Sequence, residues 1–218
     1  MCIRDREQEL ITKDATIREI HHRVKNNLQT VAALLRLQGR RMAEPSAREA
    51  LDDAVRRVGS IALVHETLSQ SFDETVNFDD VADRLLRSVL DVAGDGERGR
   101  VAGQRIGSFG SIPGQTATAL AMVLTELIQN AAQHAYPDAP GVEVPRARGG
   151  VSVAANRIRD RLRVRVSDDG VGMPADVDAG ASLGLSIVRT LVESELNGTL
   201  RFERGQRGGT TVTIELEV

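Results

Sequence analysis

The first group of residues that could do chemistry is a run of polar side chains, EIHHRVKNNLQ, between Glu19 and Gln29. Apolar residues around it recur at spacings of three and four, which predicts an amphipathic helix. At about 100° per residue, His22 points away from the apolar stripe, whereas His21 lies beside that stripe. An exposed imidazole can exchange a proton, and Glu19 shares the polar side with it. The alternative is a solvated helix face with two incidental histidines.

A second polar group consists of Glu126, Asn130 and His134, which recur at every fourth position of a strongly apolar segment. Residues four apart share one face of a helix, so these side chains form a polar stripe on a predicted helix. A carboxylate and an amide suit Mg²⁺, which takes oxygen ligands and usually few of them from the protein. An ordinary amphipathic helix is the alternative.

A third group lies in glycine-rich segments. The run SDDGVGMP follows an alternating strand pattern, so Asp168 at the strand end can accept a hydrogen bond from an exocyclic amine such as that of adenine. Gly170 and Gly172 allow the backbone to approach a ligand closely, although Asp-Gly turns are also common without function. Gly184 opens a helix whose N-terminus could face phosphates, and Thr210 precedes the last strand. The sequence contains no Walker P-loop.

Composition narrows the classes of function. The 218 residues carry 28 Lys and Arg against 31 Asp and Glu, and only 2% are aromatic. The chain therefore lacks the basic excess and the stacking surfaces of nucleic-acid binding, and we expect no direct contact with nucleic acid. No apolar run could cross a membrane and no signal peptide is evident, so we expect a cytoplasmic protein. The single cysteine, Cys2, excludes a disulfide framework.

The elements that must position these residues fall into two predicted domains. Residues 7–41 predict one long helix, and a second helix follows Ser46, its predicted N-cap. Such a hairpin cannot cover both of its apolar stripes, so residues 7–71 are predicted to dimerise as a four-helix bundle. Residues 1–6, MCIRDR, look like a translated sequencing adapter and are expected to be an artefact, with the natural chain continuing upstream.

Residues 72–218 predict an α/β sandwich with one solvated sheet face. The spacing of apolar residues predicts helices over 81–92, 116–135 and 183–196. Period-two alternation predicts strands around 151–153, 162–166 and 212–218. Residues 94–110 predict at most one weak strand, and residues 138–150 predict a surface loop.

The combined order of motifs, EIHHRVKNNLQ, ELIQNAAQHAY, DDGVGMP, SLGLSIV and GGT, closely resembles that of two-component sensor histidine kinases. It is similar to the class with an HRxKN phosphoacceptor motif (HisKA_2 or HWE-like), especially its cytosolic actinobacterial members. The resemblance covers residues 7–218. It implies an α+β protein: a helical hairpin, dimeric as a four-helix bundle, followed by a GHKL or Bergerat-type α/β sandwich that binds ATP.

The resemblance also implies roles for individual residues. His22 matches the phosphoacceptor, and Glu19 is the candidate general base because Arg23 stands where many histidine kinases carry an acidic residue. Asn130 matches the magnesium ligand, with Glu126 as its acidic companion, and Asp168 matches the adenine-binding aspartate. The remaining implied ATP-binding residues are His134, Gly170, Gly172, Gly184 and Thr210.

The implied activity is autophosphorylation of His22 from Mg·ATP, followed by transfer to an aspartate on the receiver domain of a response regulator. Similar actinobacterial kinases signal to regulators with an RNA-binding antitermination domain. Two alternatives stay open: a serine kinase of the anti-sigma-factor type, and an inactive ATP-binding dimer or scaffold. The sequence also leaves open whether phosphorylation within a dimer is in cis or in trans.

Overall fold

The computed structural model describes residues 23–24, 26–68, 75–93, 101–136, 149–173, 183–205 and 208–218. Contacts within the chain divide it into two units, with the division after residue 72. Glu19, His21 and His22 lie outside the described residues, as do the predicted start of the first helix and most of the loop predicted over 138–150.

The first unit contains two helices joined by a short connection. Helix α1 covers the described residues 23–24 and 26–41, and α2 covers Pro45–Leu68. Pro45 suits the first helical position, where an N–H group would have no partner within the helix. The Glu44 carbonyl accepts a hydrogen bond from the Arg48 N–H at 3.1 Å. Glu44 thus occupies the N-cap position, and the prediction of Ser46 as N-cap is wrong.

The second unit combines a sheet with three helices. Within the described residues, five strands are hydrogen-bonded in the order β2-β4-β5-β7-β6. Their bounds are β2 Ala102–Gly107, β4 Gly150–Ile158, β5 Arg161–Asp168, β6 Thr199–Arg204 and β7 Thr210–Glu217. The β2–β4 pair is parallel and the other pairs are antiparallel. The helices are α3 Phe78–Ala93, α4 Gly114–His134 and α5 Leu183–Thr190, the last continuing as a π-helical turn over Leu191–Glu195.

Alternation along the central strands produces one buried and one solvated face. In β5 the apolar residues Leu162, Val164 and Val166 are buried, whereas the intervening arginines are exposed. On the solvated face Arg163 pairs with Glu215 of β7, with 2.8 Å between Nε and Oε1. The predicted sandwich with one solvated sheet face is therefore confirmed.

Helix α4 is buried more completely than its amphipathic pattern predicts. It packs against α3, α5, the π-helical turn and β5. Its predicted apolar side is buried, but Thr125, Glu126 and Ile128 are buried as well. An amphipathic pattern cannot show this, because neighbours on several sides cover positions that a surface helix would leave to solvent.

Four features of this unit were not predicted. One is β6, Thr199–Arg204, at the edge of the five-stranded sheet. Strands β1, Thr75–Asn77, and β3, Ser111–Pro113, form a separate antiparallel pair. Each has three residues, too few for a period-two pattern to be recognised. The fourth feature is the π-helical turn after α5. In the described part of the chain, no helix has both the length and the apolar character needed to span a membrane.

The aromatic pair Phe78 and Phe109 joins α3 to the loop before β3, with 5.0 Å between the ring centroids and both side chains fully buried. We predict that Phe109→Ala lowers the free energy of unfolding by about 3–5 kcal/mol, because it leaves a cavity in a packed core. Chemical denaturation of the full chain measures the change. Ile158→Ala, at a side chain that is 68% exposed, is the control and should change stability by less than about 0.5 kcal/mol. Equal losses in the two variants would contradict this assignment of the core.

Candidate functional site

Asp168 is the last residue of β5 and points to the helix side of the sheet, since it continues the alternation of Val164 and Val166. Its Oδ1 accepts hydrogen bonds from the Gly170 N–H at 3.0 Å and from the Thr210 N–H at 3.2 Å. Two separate segments thus hold one carboxylate in a fixed orientation. An ionised carboxylate has about four acceptor sites, so capacity remains for a ligand donor.

The loop after Asp168 is held between α4 and the segment before β7. The Val171 N–H donates to the Ala135 carbonyl at 2.9 Å. At Gly170 an added Cβ would collide with the same carbonyl group, so only glycine allows this close approach. Gly172 has a φ of +80°, and a Cβ there would lie 2.8 Å from the Gly209 carbonyl oxygen. The predicted glycines therefore shape the loop that presents Asp168.

The electrostatic environment of Asp168 opposes its negative charge. Partial burial raises the pKa of the Asp168 carboxyl above its usual value, and the Gly170 and Thr210 N–H groups only partly offset this effect. Burial penalises the charged form, whereas hydrogen bonds from N–H groups favour it. Keeping a half-buried carboxylate ionised costs free energy of desolvation. A ligand that donates a hydrogen bond to Asp168 would offset this cost, so the site suits such a ligand.

Asn130 lies on α4 and has an unsatisfied polar group. Its Nδ2 atom is buried and has no hydrogen-bond partner within the described residues. Buried amide groups are normally paired, so an unpaired one indicates a missing ligand. Rotation of the amide can present either its N–H donors to a phosphate or its oxygen to a cation. Asn130 therefore fits the magnesium role that the sequence predicts for it.

The three predicted residues of the polar stripe occupy different environments. Glu126 is buried, Asn130 is half-buried, and His134 is exposed at the last position of α4. The stripe thus runs from the core to the surface. No polar contact links His134 to Asp168 within the described structure. Gly184 is buried in the first turn of α5, and the residues just before this helix, 174–182, lie outside the described part.

Sequence reasoning assigned no role to two residues beside the site. The Tyr136 hydroxyl donates to Asp169 Oδ1 at 2.6 Å, and the Gly150 N–H donates to the same oxygen at 2.7 Å. These bonds connect the end of α4, the start of β4 and the loop after β5. A signal was available, because Tyr136 and Asp169 lie inside two of the quoted motifs, but only the fold shows that they meet.

Comparison with known families defines the class of this second unit. Residues 115–218 match the family described as histidine kinase-, DNA gyrase B-, and HSP90-like ATPase. Residues 19–93 match the family described as histidine kinase, and this match runs past the division at residue 72 to the end of α3. The second unit is therefore an ATPase domain of the type shared by these three groups, preceded by a histidine kinase segment.

Individual relatives narrow the class further. The chain is 50% identical to the sensor histidine kinase PdtaS of Mycobacterium tuberculosis H37Rv over 218 residues, which cover 99% of this chain and 42% of that protein. It is 49% identical, with the same coverage, to PdtaS of Mycolicibacterium smegmatis. The solved histidine kinase domain of the blue-light-activated kinase EL346 of Erythrobacter litoralis has a TM-score of 0.60 and 28% identity, over 97% of this chain and 94% of that one.

The chain belongs to the sensor histidine kinases of the HisKA_2 class, of the actinobacterial type, as its motif order predicts. The helical region followed by an α/β ATP-binding domain is confirmed as well. The chain spans about two-fifths of the length of its mycobacterial relatives, 42% in each case.

The raised pKa of Asp168 predicts a stability cost for its charge. Below the ordinary aspartate value, about pH 4, the carboxyl is protonated in both folded and unfolded chains. As pH rises through the raised folded value, the unfolded chain loses its proton more readily, so stability is lost. We predict that Asp168→Asn is at least as thermally stable as the wild type at neutral pH, with a stability advantage that shrinks as the solution is acidified toward about pH 4.

Thermal melts of both chains across this pH range test the prediction. Asp160→Asn, at an exposed residue of the β4–β5 turn, is the matched control for the loss of one negative charge. A variant at Asp168 that is less stable than the wild type at neutral pH would mean that its carboxylate is a net stabilising group.

Proposed function

We propose that this chain is the catalytic core of a protein-histidine kinase, with a hairpin over residues 7–71 and an ATP-binding domain over residues 72–218. The observation that carries the proposal is the Asp168 carboxylate, oriented by the Gly170 and Thr210 N–H groups at the end of a strand. Family membership and the division of the chain after residue 72 support it. A reaction that consumes ATP is expected in the cytoplasm.

In this proposal Asp168 accepts a hydrogen bond from the exocyclic amine of adenine. Gly170 and Gly172 let the loop that presents Asp168 pack against the Ala135 and Gly209 carbonyl groups, and the N-terminus of α5 at Gly184 offers N–H groups to phosphates. Asn130 would hold the magnesium ion through its amide oxygen, and its Nδ2 donors, which have no partner within the described residues, would be free to bond a phosphate oxygen. Glu126 and His134 flank Asn130 on α4 as secondary contacts. The ion supplies charge neutralisation when it is bound.

His22 is the proposed nucleophile. An imidazole nitrogen forms a bond to the γ-phosphorus while the bond from phosphorus to the ADP oxygen breaks, and the imidazole loses a proton. Glu19, one turn earlier, is the proposed acceptor of that proton. The phosphoryl group then passes to an aspartate carboxylate on the receiver domain of a response regulator, for which a regulator with an RNA-binding antitermination domain is our candidate.

The exposure of α1 supports His22 rather than His21. Asn26 and Gln29, four and seven positions after His22, are exposed. Val24 and Leu28, three and seven positions after His21, are half-buried. Because residues at these spacings share a helix face, continuation of α1 would put His22 on the exposed side.

We predict that His22→Gln eliminates labelling by ATP carrying a radioactive γ-phosphate but retains nucleotide binding, because the acceptor alone is lost. His21→Gln is the matched control and should retain labelling. Asp168→Asn should lose both labelling and most nucleotide affinity, since a hydrogen bond to a charged group contributes about 1.5–3 kcal/mol, or roughly ten- to a hundred-fold.

The chemistry of the label distinguishes the alternatives. A label that is stable to alkali and lost in acid identifies phosphohistidine. An alkali-labile, acid-stable label would identify a serine kinase, and nucleotide binding without any label would identify a scaffold. If His22→Gln were still labelled and His21→Gln were not, His21 and not His22 would be the phosphoacceptor.

The hairpin has an apolar surface that supports homodimerisation. Leu34 and Leu37 on α1 are 56% and 53% exposed, and Val31, Met42 and Ile61 are also exposed. Val31, Leu34 and Leu37 recur at every third position and so lie on one side of α1. An exposed apolar face of this kind marks an interaction site, and a second hairpin would complete a four-helix bundle. The proposed occupant is a second copy of the chain.

We predict that the wild-type chain has a dimeric mass by light scattering at micromolar concentration, and that the double variant Leu34→Glu/Leu37→Glu is monomeric. Burying two carboxylates in an apolar interface without partners is strongly unfavourable. Gln29→Glu, which adds a charge at an exposed polar position about 140° around the same helix from Leu34, is the control and should remain dimeric. A monomeric wild-type chain would contradict the proposed interface.

A further inference from the structure

A hydrogen-bonded group lies next to the proposed adenine-binding aspartate. Asp169 Oδ1 accepts bonds from the Tyr136 hydroxyl at 2.6 Å and from the Gly150 N–H at 2.7 Å. The Tyr136 hydroxyl also lies 3.1 Å from the Gly150 carbonyl oxygen. Tyr136 and Asp169 are 33 positions apart in sequence, so the bond closes a large loop of the fold.

We infer that Tyr136 and Asp169 are positioning residues that fix the orientation of Asp168 and thereby set the selectivity of the site for adenine. The inference rests on the proposed function, because it assumes that Asp168 binds the adenine amine. Neither residue is proposed to contact the nucleotide.

Asp168 and Asp169 are consecutive at the end of a strand, so their side chains point to opposite sides. Asp168 is held on one side by Thr210, and Asp169 is held on the other by Tyr136 and Gly150. The next residue, Gly170, donates to Asp168 Oδ1. A shift of the backbone at Asp169 would therefore move both the carboxylate and one of the groups that orient it.

Such a shift would weaken recognition without removing any residue that contacts the ligand. Hydrogen bonds lose strength steeply as the donor angle departs from linearity. Displacements of about 1 Å at a binding group are known to be costly for function. Residues behind the contacting residue that lock its position therefore affect selectivity as well as affinity.

Tyr136 offers a clean substitution because its ring and its hydroxyl have separate roles. The ring packs on Gly149, where an added Cβ would collide with it. Phenylalanine keeps this packing and removes only the hydroxyl. Burial, followed by the hydrogen bond to Asp169, raises the pKa of the Tyr136 hydroxyl above its usual value, so the group stays a neutral donor across the physiological range.

The test compares two nucleotides that differ at the exocyclic group to which Asp168 should be hydrogen-bonded. Adenosine diphosphate carries an exocyclic amine, and inosine diphosphate carries a carbonyl oxygen at that position. Calorimetry with magnesium on the full chain measures both affinities for the wild type, Tyr136→Phe and Asp169→Asn. Asp160→Asn, an exposed carboxylate of the neighbouring turn, is the matched control.

We expect the wild type and Asp160→Asn to prefer adenosine diphosphate. Tyr136→Phe should weaken adenosine diphosphate binding by about three- to ten-fold, the range of one net hydrogen bond. The affinity of Tyr136→Phe for inosine diphosphate should stay within about two-fold of the wild-type value. The ratio of the two affinities, which is the preference for adenosine diphosphate, therefore falls. Asp169→Asn should change the preference in the same direction. If the two residues had a purely structural role, the variants would bind both nucleotides more weakly by the same factor and would melt at a lower temperature than the wild type. This outcome would overturn the inference.

Two further outcomes separate this inference from the proposed function. If the wild type prefers adenosine diphosphate and both variants keep that preference, the inference fails and the proposed function stands. If the wild type shows no preference, the role of Asp168 fails and the inference fails with it. Should Tyr136→Phe not fold, the preference measured for Asp169→Asn decides the matter.

A spectroscopic readout tests the pair itself. The chain has one tyrosine and no tryptophan, so absorbance of ionised tyrosine reports on Tyr136 alone. The wild-type tyrosine should ionise at a pH above the ordinary tyrosine value, because burial and the hydrogen bond to Asp169 both oppose its charged form. Asp169→Asn should ionise at lower pH than the wild type, because the hydrogen bond to a carboxylate is lost. Identical titrations of the two chains would show that the pair does not form.

Discussion

The burial of α4 against the central strands is the constraint on which the ATP-binding unit depends. The helix packs against α3, α5, the π-helical turn and β5, so it is covered by several elements. This placement brings its C-terminal end, at Ala135 and Tyr136, to the point where β5 ends. The strand and the helix could each form locally, but the site exists only where their ends meet.

The same packing explains why polar groups persist inside an apolar unit. Asn130 has a buried amide atom without a partner, and Asp168 has a carboxylate whose pKa burial raises. Both features oppose folding stability, since unpaired or desolvated polar groups are costly. In the proposed site a bound nucleotide would supply the missing partners, so we expect these two positions to lower folding stability but to favour nucleotide binding.

The hairpin is organised by a different principle. Among its described residues the buried apolar side chains are Ala32, Val55 and Val64, and Leu34 and Leu37 on α1 stay exposed. The ATP-binding unit has a continuous core formed by one sheet face and three helices. A kinase needs both properties, because the phosphoacceptor must be presented on an accessible helix whereas the nucleotide must be held in a rigid pocket. Dimerisation, as proposed, would supply the apolar contacts that one hairpin lacks.

The sequence by itself determined the class of protein and most of its elements. Apolar spacing located α3, α4 and α5, and period-two alternation located β4, β5 and β7, because burial of one face leaves a local pattern along the chain. It also placed Asp168 at a strand end and Asn130 on α4. Short strands such as β1 and β3 left no such pattern, and the capping prediction at Ser46 failed because Pro45 can begin a helix.

Only the tertiary structure decided which distant groups meet. The Thr210 N–H reaches Asp168 across 42 positions, and Tyr136 reaches Asp169 across 33. The parallel pairing of β2 with β4 likewise depends on the path of the chain between them. Periodicity records whether a residue is buried, but a hydrogen bond needs a specific partner at a specific distance and angle. That information arises only when register and packing bring separate segments together.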